Sequence, residues 1–251
     1  MSLAKTGAAP RGGFYLGMAL TGLAVVLLGF SRTYMAPMAR GDFQAAAVVH
    51  LHGALAFGWV LLFVLQPGLI RAERYGVHMR TGLLGLGLAA ATAATAVPVA
   101  LLAVARDLAS GFGPGAVSSL PGVLTSMAIF LGLVLAGGWA AARGHGGTHK
   151  RLMLLATIVV LWPAWFRLRH WLPGVPDPQF WLGVVAADFL MFAAMIRDRL
   201  VEGRVHPVWL WVGLPILVEQ TLEAVFYDAP LWRSAATFLY EALSGQAVPV
   251  A

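Results

Sequence analysis

Seven long apolar runs divide this chain, and each is long enough to cross the hydrocarbon core of a bilayer as a helix. They cover residues 14–30, 46–70, 81–105, 122–142, 151–170, 179–196 and 207–227. A helix needs roughly 20 apolar residues to cross a core of roughly 30 Å. Charged residues make up only 11% of the chain, which is too few to cover a soluble surface. The sequence therefore predicts an all-α, polytopic transmembrane helical bundle, with residues 1–251 as a single integral-membrane domain.

The positions of the basic residues indicate how the seven spans are oriented. Connections on the N-terminal side carry 11 of the 17 lysine and arginine residues. Because cytoplasmic loops are enriched in these residues, we expect a cytoplasmic N-terminus and an outer C-terminus in a bacterial cytoplasmic (inner) membrane. After the last span, residues 230–243 carry several large apolar side chains among polar ones, which predicts a short helix on the outer interface. No internal duplication is evident in the sequence.

Composition excludes several kinds of chemistry. The chain has no cysteine, so disulfides, Cys-held iron–sulfur clusters, thiolate-ligated haem and cysteine nucleophiles are excluded. The net charge of +6 is concentrated at the ends of the apolar runs, where it would meet lipid headgroups. We therefore expect the lipid bilayer as a partner and no nucleic acid, and the sequence carries no indication of the oligomeric state.

Two of the apolar runs open in the same way, with a histidine followed by cations. The two segments are His78-Met79-Arg80-Thr81-Gly82 and His149-Lys150-Arg151-Leu152-Met153. Both lead into helices that run in the same direction, so both histidines are predicted at the cytoplasmic entrance. A helix N-terminus and neighbouring cations favour the neutral imidazole, which is the form that binds a metal or a haem iron.

Three interpretations of these two entrances remain open. In the first, His78 and His149 bind a b-type haem between two helices. In the second, they hydrogen-bond to loops and lipid headgroups and bind no cofactor. In the third, Arg80, Lys150 and Arg151 form a binding site for an anionic headgroup, together with the two helix N-termini.

A second group of polar residues is predicted in the outer half of the bilayer. His50 and His52 lie about 200° apart on a helix, so an undistorted helix cannot direct both at one metal ion. His52 is the better candidate to face the bundle, because Trp59 and Gln66 continue its face at steps of seven residues. The alternative for this stripe is a hydrogen-bonding face between helices. His50, His52 and His170 are the candidate ligands of a metal ion.

The outer half also contains carboxylates that are candidates for acid–base chemistry. Glu219 and Glu223 lie four residues apart on one face of the seventh span, and Asp188 lies near the centre of the sixth. Two adjacent carboxylates are a frequent setting for a general acid–base pair. Arg167, near the end of the fifth span, completes the candidate catalytic set. The alternative is a structural ion pair between Arg167 and one of the two glutamates.

Several of these residues together resemble a known family. The pattern consists of His52, Gln66, the two histidine entrances, and Arg167 about five turns into the second of those helices. It resembles a widespread family of bacterial multi-pass membrane proteins of unknown function, marked by an HR-x-x-G-like entrance and an H-[RK]-R-x-M entrance. In this chain Met79 intervenes in the first motif, and the resemblance covers about residues 45–170. It implies an all-helical membrane protein and carries no activity. A looser similarity to b-type membrane cytochromes, which place histidine pairs on facing helices, is an analogy.

The sequence leads to three hypotheses for the function. In the first, a redox protein binds haem b through His78 and His149, with His52 at a second site, and carries electrons between a quinone or cytoplasmic donor and an outer acceptor. In the second, a membrane-embedded enzyme acts on a lipid or isoprenoid substrate, with Glu219 and Glu223 as proton carriers and a metal ion as assisting cofactor. In the third, the chain is a proton-linked transporter or a structural membrane partner.

Overall fold

The computed structural model describes residues 13–248, and this part of the chain forms helices and no strand. The helices, in chain order, are α1 Gly13–Arg40, α2 Ala47–Arg71, α3 Tyr75–Ala109, α4 Pro114–Ala142, α5 Gly146–His170, α6 Gln179–Glu202, α7 Trp209–Val225 and α8 Pro230–Ser244. The first six are each long and apolar enough to cross a membrane, whereas α7 and α8 qualify only as a pair, bent by 97°. Six or seven helices can thus cross a bilayer, which confirms the predicted all-α multi-pass class.

The helix predicted at residues 230–243 is present as α8, and its orientation is fixed by polar contacts. Asp228, in the connection from α7, accepts hydrogen bonds from Ser118 Oγ at 2.6 Å and from Arg233 Nε at 2.7 Å. Trp232 Nε1 donates to the carbonyl oxygen of Ser118 at 2.9 Å. Because Ser118 belongs to the first turns of α4, these bonds hold α8 across the start of that helix. The location of α8 at the membrane interface stays a prediction.

Several helices depart from a regular α-helix at their ends. π-Helical turns occur at Ser31–Met35 in α1, at Gln179–Ala186 in α6 and at Trp209–Gly213 in α7. Such a turn contains an extra residue and therefore rotates the side chains that follow it around the helix axis. Helix α3 also begins at Tyr75, before the predicted residue 81, so that His78 lies inside its first turn.

Helix α5 is the centre of the bundle and packs against α1, α4 and α6. Its middle is buried on every side, with Leu154, Leu155 and Ile158 at most 1% exposed. The tightest approach is between α1 and α5, where a methyl group on Gly29 would overlap the carbonyl group of Ala164. Small residues at this position let the two helix backbones meet directly.

The turns of the hairpins α2–α3 and α4–α5 repeat one another, with each turn residue of the first matching the residue 71 positions later. Their tight turns have the same backbone conformation, with φ −88° and ψ 56° at Arg74 and φ −84° and ψ 58° at His145. The preceding residue is left-handed in both, with φ 56° at Glu73 and φ 75° at Gly144. The backbone hydrogen bonds of the two turns also match. This duplication was not evident in the sequence.

Equivalent residues of the two hairpins meet each other. Trp59 packs edge-to-face on Phe130 with ring centres 4.8 Å apart, and His78 packs edge-to-face on His149. Contacts between equivalent residues arise where an approximate two-fold axis passes between two similar units. Both tight turns lie at the same end of the bundle, which we call the turn side, and we call the opposite end the far side.

Candidate functional site

The two histidines that the sequence singled out meet at the turn side of the bundle. Each is the fourth residue of its helix, and the centres of the two rings are 6.2 Å apart with their planes at 82°. A metal atom held between two imidazole nitrogens, with bonds of about 2 Å, places the ring centres about 6 Å apart. The ring centres of His78 and His149 therefore have the separation that two histidine ligands of one metal atom would have, and their edge-to-face packing is that of a direct contact between two aromatic rings.

One nitrogen of each ring is occupied by a contact to the preceding helix. Nδ1 of His149 lies 2.9 Å from the carbonyl oxygen of Gly137 on α4, to which it can only donate. Nδ1 of His78 contacts the side-chain amide of Gln66 on α2. Gln66 and Gly137 each precede their histidine by 12 residues, so the repeat extends to this interaction. When Nδ1–H donates to an oxygen, Nε2 is left unprotonated, as a metal ligand requires.

The Gln66 amide satisfies all of its neighbours in one orientation. Its Nε2 then donates to Nδ1 of His78 and, at 3.3 Å, to the carbonyl oxygen of His78, while its Oε1 accepts from Thr81 Oγ1 at 2.9 Å and from the backbone N–H of Gly82 at 3.2 Å. In the opposite orientation, the amide oxygen would face the carbonyl oxygen of His78 and the amide nitrogen would face the N–H of Gly82. Nδ1 of His78 is therefore an acceptor, and the proton of its neutral ring is on Nε2, in contrast to His149.

An apolar layer lies beneath the histidine pair, towards the bilayer centre. It is formed by Trp59 and Phe130, which are 5% and 0% exposed and lie about 10 Å further along their helices than Gln66 and Gly137. Trp59 Nε1 donates to Thr157 Oγ1 at 3.3 Å, so the only polar atom of the layer is satisfied. The layer excludes water from this side of the pair.

A buried ion network lies beside the pair, and it was missed from the sequence. Arg151, 1% exposed, donates to both oxygens of Asp198 at 2.6 and 2.7 Å and to Glu202 at 2.6 Å. Trp209 Nε1 donates to Asp198 at 2.7 Å, and Arg197 Nη1 donates to both carboxylates. The network ties α5, α6 and α7 together at the turn side.

This network changes the interpretation of the cations that follow His149. Arg151 is buried and engaged by two carboxylates, so it is not free to bind an anionic headgroup as considered above, whereas Lys150 Nζ lies 3.8 Å from Glu202 and is 36% exposed. The sequence did contain a signal for the network, since Asp198 and Glu202 lie four residues apart on one face of α6. Their partner on α5 could not be identified without the packing.

His206, in the connection before α7, lies next to the same network. Its Nδ1 accepts a hydrogen bond from the backbone N–H of Val208 at 3.2 Å, and its carbonyl oxygen accepts from the N–H of Trp209 at 3.0 Å. Burial, and next the positive charge of Arg151, lower the pKa of His206 below its ordinary value. The neutral imidazole therefore caps the start of α7.

The three histidines predicted as metal ligands are not brought together. Nδ1 of His50 lies 2.9 Å from the Tyr34 hydroxyl on α1, whereas Nδ1 of His52 lies 3.1 Å from Thr95 Oγ1 on α3. The two rings thus point in different directions, as their 200° offset predicts. His170 is exposed at the end of α5. The described part of the chain holds no group of three His, Asp or Glu side chains that could bind a metal ion.

Glu219 and Glu223 do lie together, in a cavity on the far side. The cavity has a volume of about 340 Å³ and is lined by residues of α4, α7 and α8, among them Thr125, Trp232 and the two glutamates. Gly122 makes room for this arrangement, because a side chain there would occupy the position of the Glu223 carboxylate. The cavity is mostly apolar, with the two carboxylates at its wall.

Arg167 and Asp188, the other candidate catalytic residues, do not line this cavity. Arg167 Nη1 donates to the carbonyl oxygen of Pro163 at 2.9 Å, and its guanidinium lies 4.4 Å from the centre of the Phe30 ring. Within residues 13–248 it makes no ion pair with either glutamate, so the structural ion pair considered above is absent. Asp188 is 1% exposed, and its Oδ2 has no hydrogen-bond partner in this range.

The histidine pair and the carboxylate cavity are separate sites. Both are in contact with α4, where Gly137 touches His149 and Gly122 touches Glu223. These two glycines are about 22 Å apart along the helix. A small ligand cannot touch both sites, so their chemistry is independent.

Comparison with known proteins adds no assignment. No family model, no curated protein and no solved structure matches this chain. The family resemblance drawn from the sequence therefore stays a prediction, and the geometry of the histidine pair is the best guide to function.

Proposed function

We propose that this protein is a membrane electron carrier that binds a b-type haem through His78 and His149. One observation carries the proposal: the centres of the two imidazole rings lie 6.2 Å apart, with Nδ1 of each in contact with an amide or carbonyl group of the preceding helix. Such outer contacts fix the ring orientation and tautomer of a ligating histidine.

The number of available ligands favours haem over a bare metal ion. A protein-bound Zn²⁺ takes three or four protein ligands. In the described residues, no third His, Asp or Glu joins the pair to form such a group. A haem would need only two ligands from the protein, and His78 on α3 and His149 on α5 would supply them.

The surrounding residues define what the protein contributes. A bound haem supplies reversible one-electron transfer. His78 and His149 would hold it, Gln66 and Gly137 orient the two rings, and the apolar layer of Trp59 and Phe130 separates the site from the bilayer centre. The position equivalent to His52 is occupied by Val123, so the repeat supplies no second histidine pair on the far side. We therefore expect electron exchange at the turn side alone, with a quinone or a soluble donor as partner.

The charge bias of the sequence supports a location for this exchange. The turn side carries the larger share of Lys and Arg, which favours the cytoplasmic face of a bacterial inner membrane.

The test is an optical spectrum of the protein purified from cells supplied with haem precursors, with haem content measured by extraction. We expect a low-spin spectrum with about one haem per chain, lost in His78→Ala and in His149→Ala. His52→Ala is the matched control, because it removes a half-buried histidine of the same bundle.

Two results would contradict the proposal. One is the absence of a haem spectrum even after added haemin. The other is loss of haem in His52→Ala to the same extent as in His149→Ala, because the structure places His52 outside the pair.

The carboxylate cavity favours a second candidate function, that of a membrane-embedded enzyme acting on a lipid or isoprenoid. Its supporting observation is the apolar cavity with Glu219 and Glu223 at the wall. Glu223→Gln should then abolish turnover of such a substrate without changing the unfolding temperature. Glu241→Gln, at an exposed position of α8, should change neither the turnover nor the unfolding temperature. Retained turnover in Glu223→Gln would exclude a role for this carboxylate in proton transfer.

A further inference from the structure

The histidine pair is asymmetric, and the asymmetry lies in the groups that hold the two rings. Nδ1 of His149 donates to the carbonyl oxygen of Gly137 at 2.9 Å, whereas Nδ1 of His78 accepts from the side-chain amide of Gln66. A backbone carbonyl can only accept, so His149 keeps its proton on Nδ1 and leaves Nε2 free. His78 carries its proton on Nε2, and its Nδ1 is occupied by Gln66, so neither nitrogen can bind a metal atom.

Gln66 is held in this orientation by the backbone of α3. Its Nε2 also donates to the carbonyl oxygen of His78 at 3.3 Å, and its Oε1 accepts from the N–H of Gly82 at 3.2 Å. These two backbone groups belong to residues four apart in one helix, so they present an acceptor and a donor side by side. The orientation of the amide is therefore set by the helix that carries His78, and the amide in turn sets the tautomer of the ring.

Rotation of the Gln66 amide by 180° reverses this arrangement. The amide oxygen then accepts from Nδ1–H of His78, and the ring has a lone pair on Nε2. Thr81 fits both states, because its hydroxyl group either donates to the amide oxygen or accepts from the amide nitrogen at 2.9 Å and donates to the carbonyl oxygen of Val77 at 2.8 Å. The cost is confined to the two backbone contacts, where like groups then face each other. A metal–ligand bond is stronger than such hydrogen bonds and can offset their loss.

We propose that Gln66 is a positioning residue that withholds His78 from a metal atom until its side-chain amide rotates. This inference rests on the proposed function, because haem is the ligand for which two histidines suffice. His149 binds first, through an Nε2 that is already free, and rotation of Gln66 then releases the second ligand. The equivalent residue of the other hairpin is Gly137, whose backbone carbonyl cannot rotate in this way, so only one of the two ligands is controlled.

The first experiment measures the tautomers without haem. The full chain is labelled with ¹⁵N at histidine and kept haem-free at alkaline pH, where the imidazoles are neutral. The ¹⁵N chemical shifts of Nδ1 and Nε2 then show which nitrogen carries the proton, and the signals are assigned from their loss in His78→Ala and His149→Ala. We expect the proton on Nε2 in His78 and on Nδ1 in His149.

Gln66→Glu should reverse the tautomer of His78 alone, because a carboxylate accepts hydrogen bonds and cannot donate to Nδ1. Gln246→Glu is the matched control, since it adds the same charge at an exposed position after α8 and should leave both tautomers unchanged. Gln66→Met guards against misfolding of Gln66→Glu. It has a similar shape and no N–H to donate, so His78 should populate both tautomers.

The second experiment measures the affinity for haemin by optical titration of the haem-free protein. Hydrogen bonds to the outer nitrogen of a ligating histidine change metal affinity by about 10- to 100-fold. We expect Gln66→Glu to bind haemin about tenfold more tightly than the unsubstituted protein. Gln66→Met should lie between the two, and Gln246→Glu should not differ from the unsubstituted protein.

The proposal is overturned if His78 already carries its proton on Nδ1 in the haem-free protein, or if Gln66→Glu changes the tautomer without raising the affinity for haemin. Absence of haemin binding in every variant overturns the proposed function and, with it, this control of ligation. The tautomer measurement distinguishes that failure from an error about Gln66, because it is made without haem.

Discussion

Replacing Asp198 with asparagine tests whether the buried ion network holds the turn side of the bundle together. Asp198 is 0% exposed and accepts two hydrogen bonds from Arg151, one from Trp209 and one from Arg197. Asparagine has nearly the same shape but no charge, and its amide group donates where a carboxylate oxygen accepted. The substitution therefore places donors against donors without changing the volume.

The size of the effect follows from what remains around Arg151. Removing one partner of a buried ion pair costs about 3–5 kcal/mol, because the other charge stays buried. Glu202 still contacts Arg151 at 2.6 Å and is about one-third exposed, so part of the compensation survives. We therefore expect a loss near the lower limit, about 3 kcal/mol of unfolding free energy.

The assay is reversible unfolding in mixed micelles, followed by tryptophan fluorescence, with Asp42→Asn as control. Asp42 pairs with Arg40 at 2.8 Å, but its side chain is 63% exposed, so its loss should cost less than about 1 kcal/mol. Trp209→Phe, alone and combined with Asp198→Asn, completes a double-mutant cycle that isolates the indole–carboxylate bond. A cost for Asp198→Asn no larger than that for Asp42→Asn would refute the reasoning.

Three further predictions concern packing, pH and the last helix. Gly29→Ala should destabilise the protein by about 1–3 kcal/mol in the same assay, because the added methyl group would overlap the backbone of α5. Gly17→Ala is the control, because the space around Gly17 is open and the substitution should be neutral or slightly stabilising. Because the folded state holds the pKa of His206 below its ordinary value of 6.5, the unfolded chain binds this proton more readily. Stability should thus fall as pH drops below about 6.5, and His206→Gln should flatten that part of the profile. Asparagine tolerates the left-handed conformation of residue 228, φ 64°, so Asp228→Asn should weaken only the hydrogen bonds to α8. Amide hydrogen exchange in α8 should then increase without global unfolding, and unchanged exchange would contradict this prediction.

The class of fold and most helix positions could be predicted from the sequence, because a bilayer imposes a length and a hydrophobicity on every crossing segment. The start of α3 was predicted six residues late, since polar residues such as His78 and Arg80 hide the first turns of a helix from a hydropathy criterion. The duplication of the two hairpins was also hidden. Gln66 and Gly137 occupy equivalent positions without resembling each other, because one contributes a side-chain amide and the other a backbone carbonyl.

For the candidate site, the sequence singled out two histidines that the structure brings together, and it left open what they do. His78 and His149 could be placed at the same membrane surface from helix direction alone. Whether their rings come into contact depends on the rotation of α3 and α5 about their helix axes, and this rotation is set by packing along the whole bundle. The same limitation explains Arg151, which looked like a free cation at a helix entrance and is bound by carboxylates from α6.

By itself, the sequence determined the all-helical membrane architecture, the absence of cysteine chemistry and the position of each polar residue along its helix, because these depend on composition and distance along one segment. Only the tertiary structure decided which polar groups meet. It brought His78 to His149, joined Arg151 to Asp198, and left Arg167 without a carboxylate among residues 13–248. Contacts between helices depend on rotation and tilt that no single segment specifies.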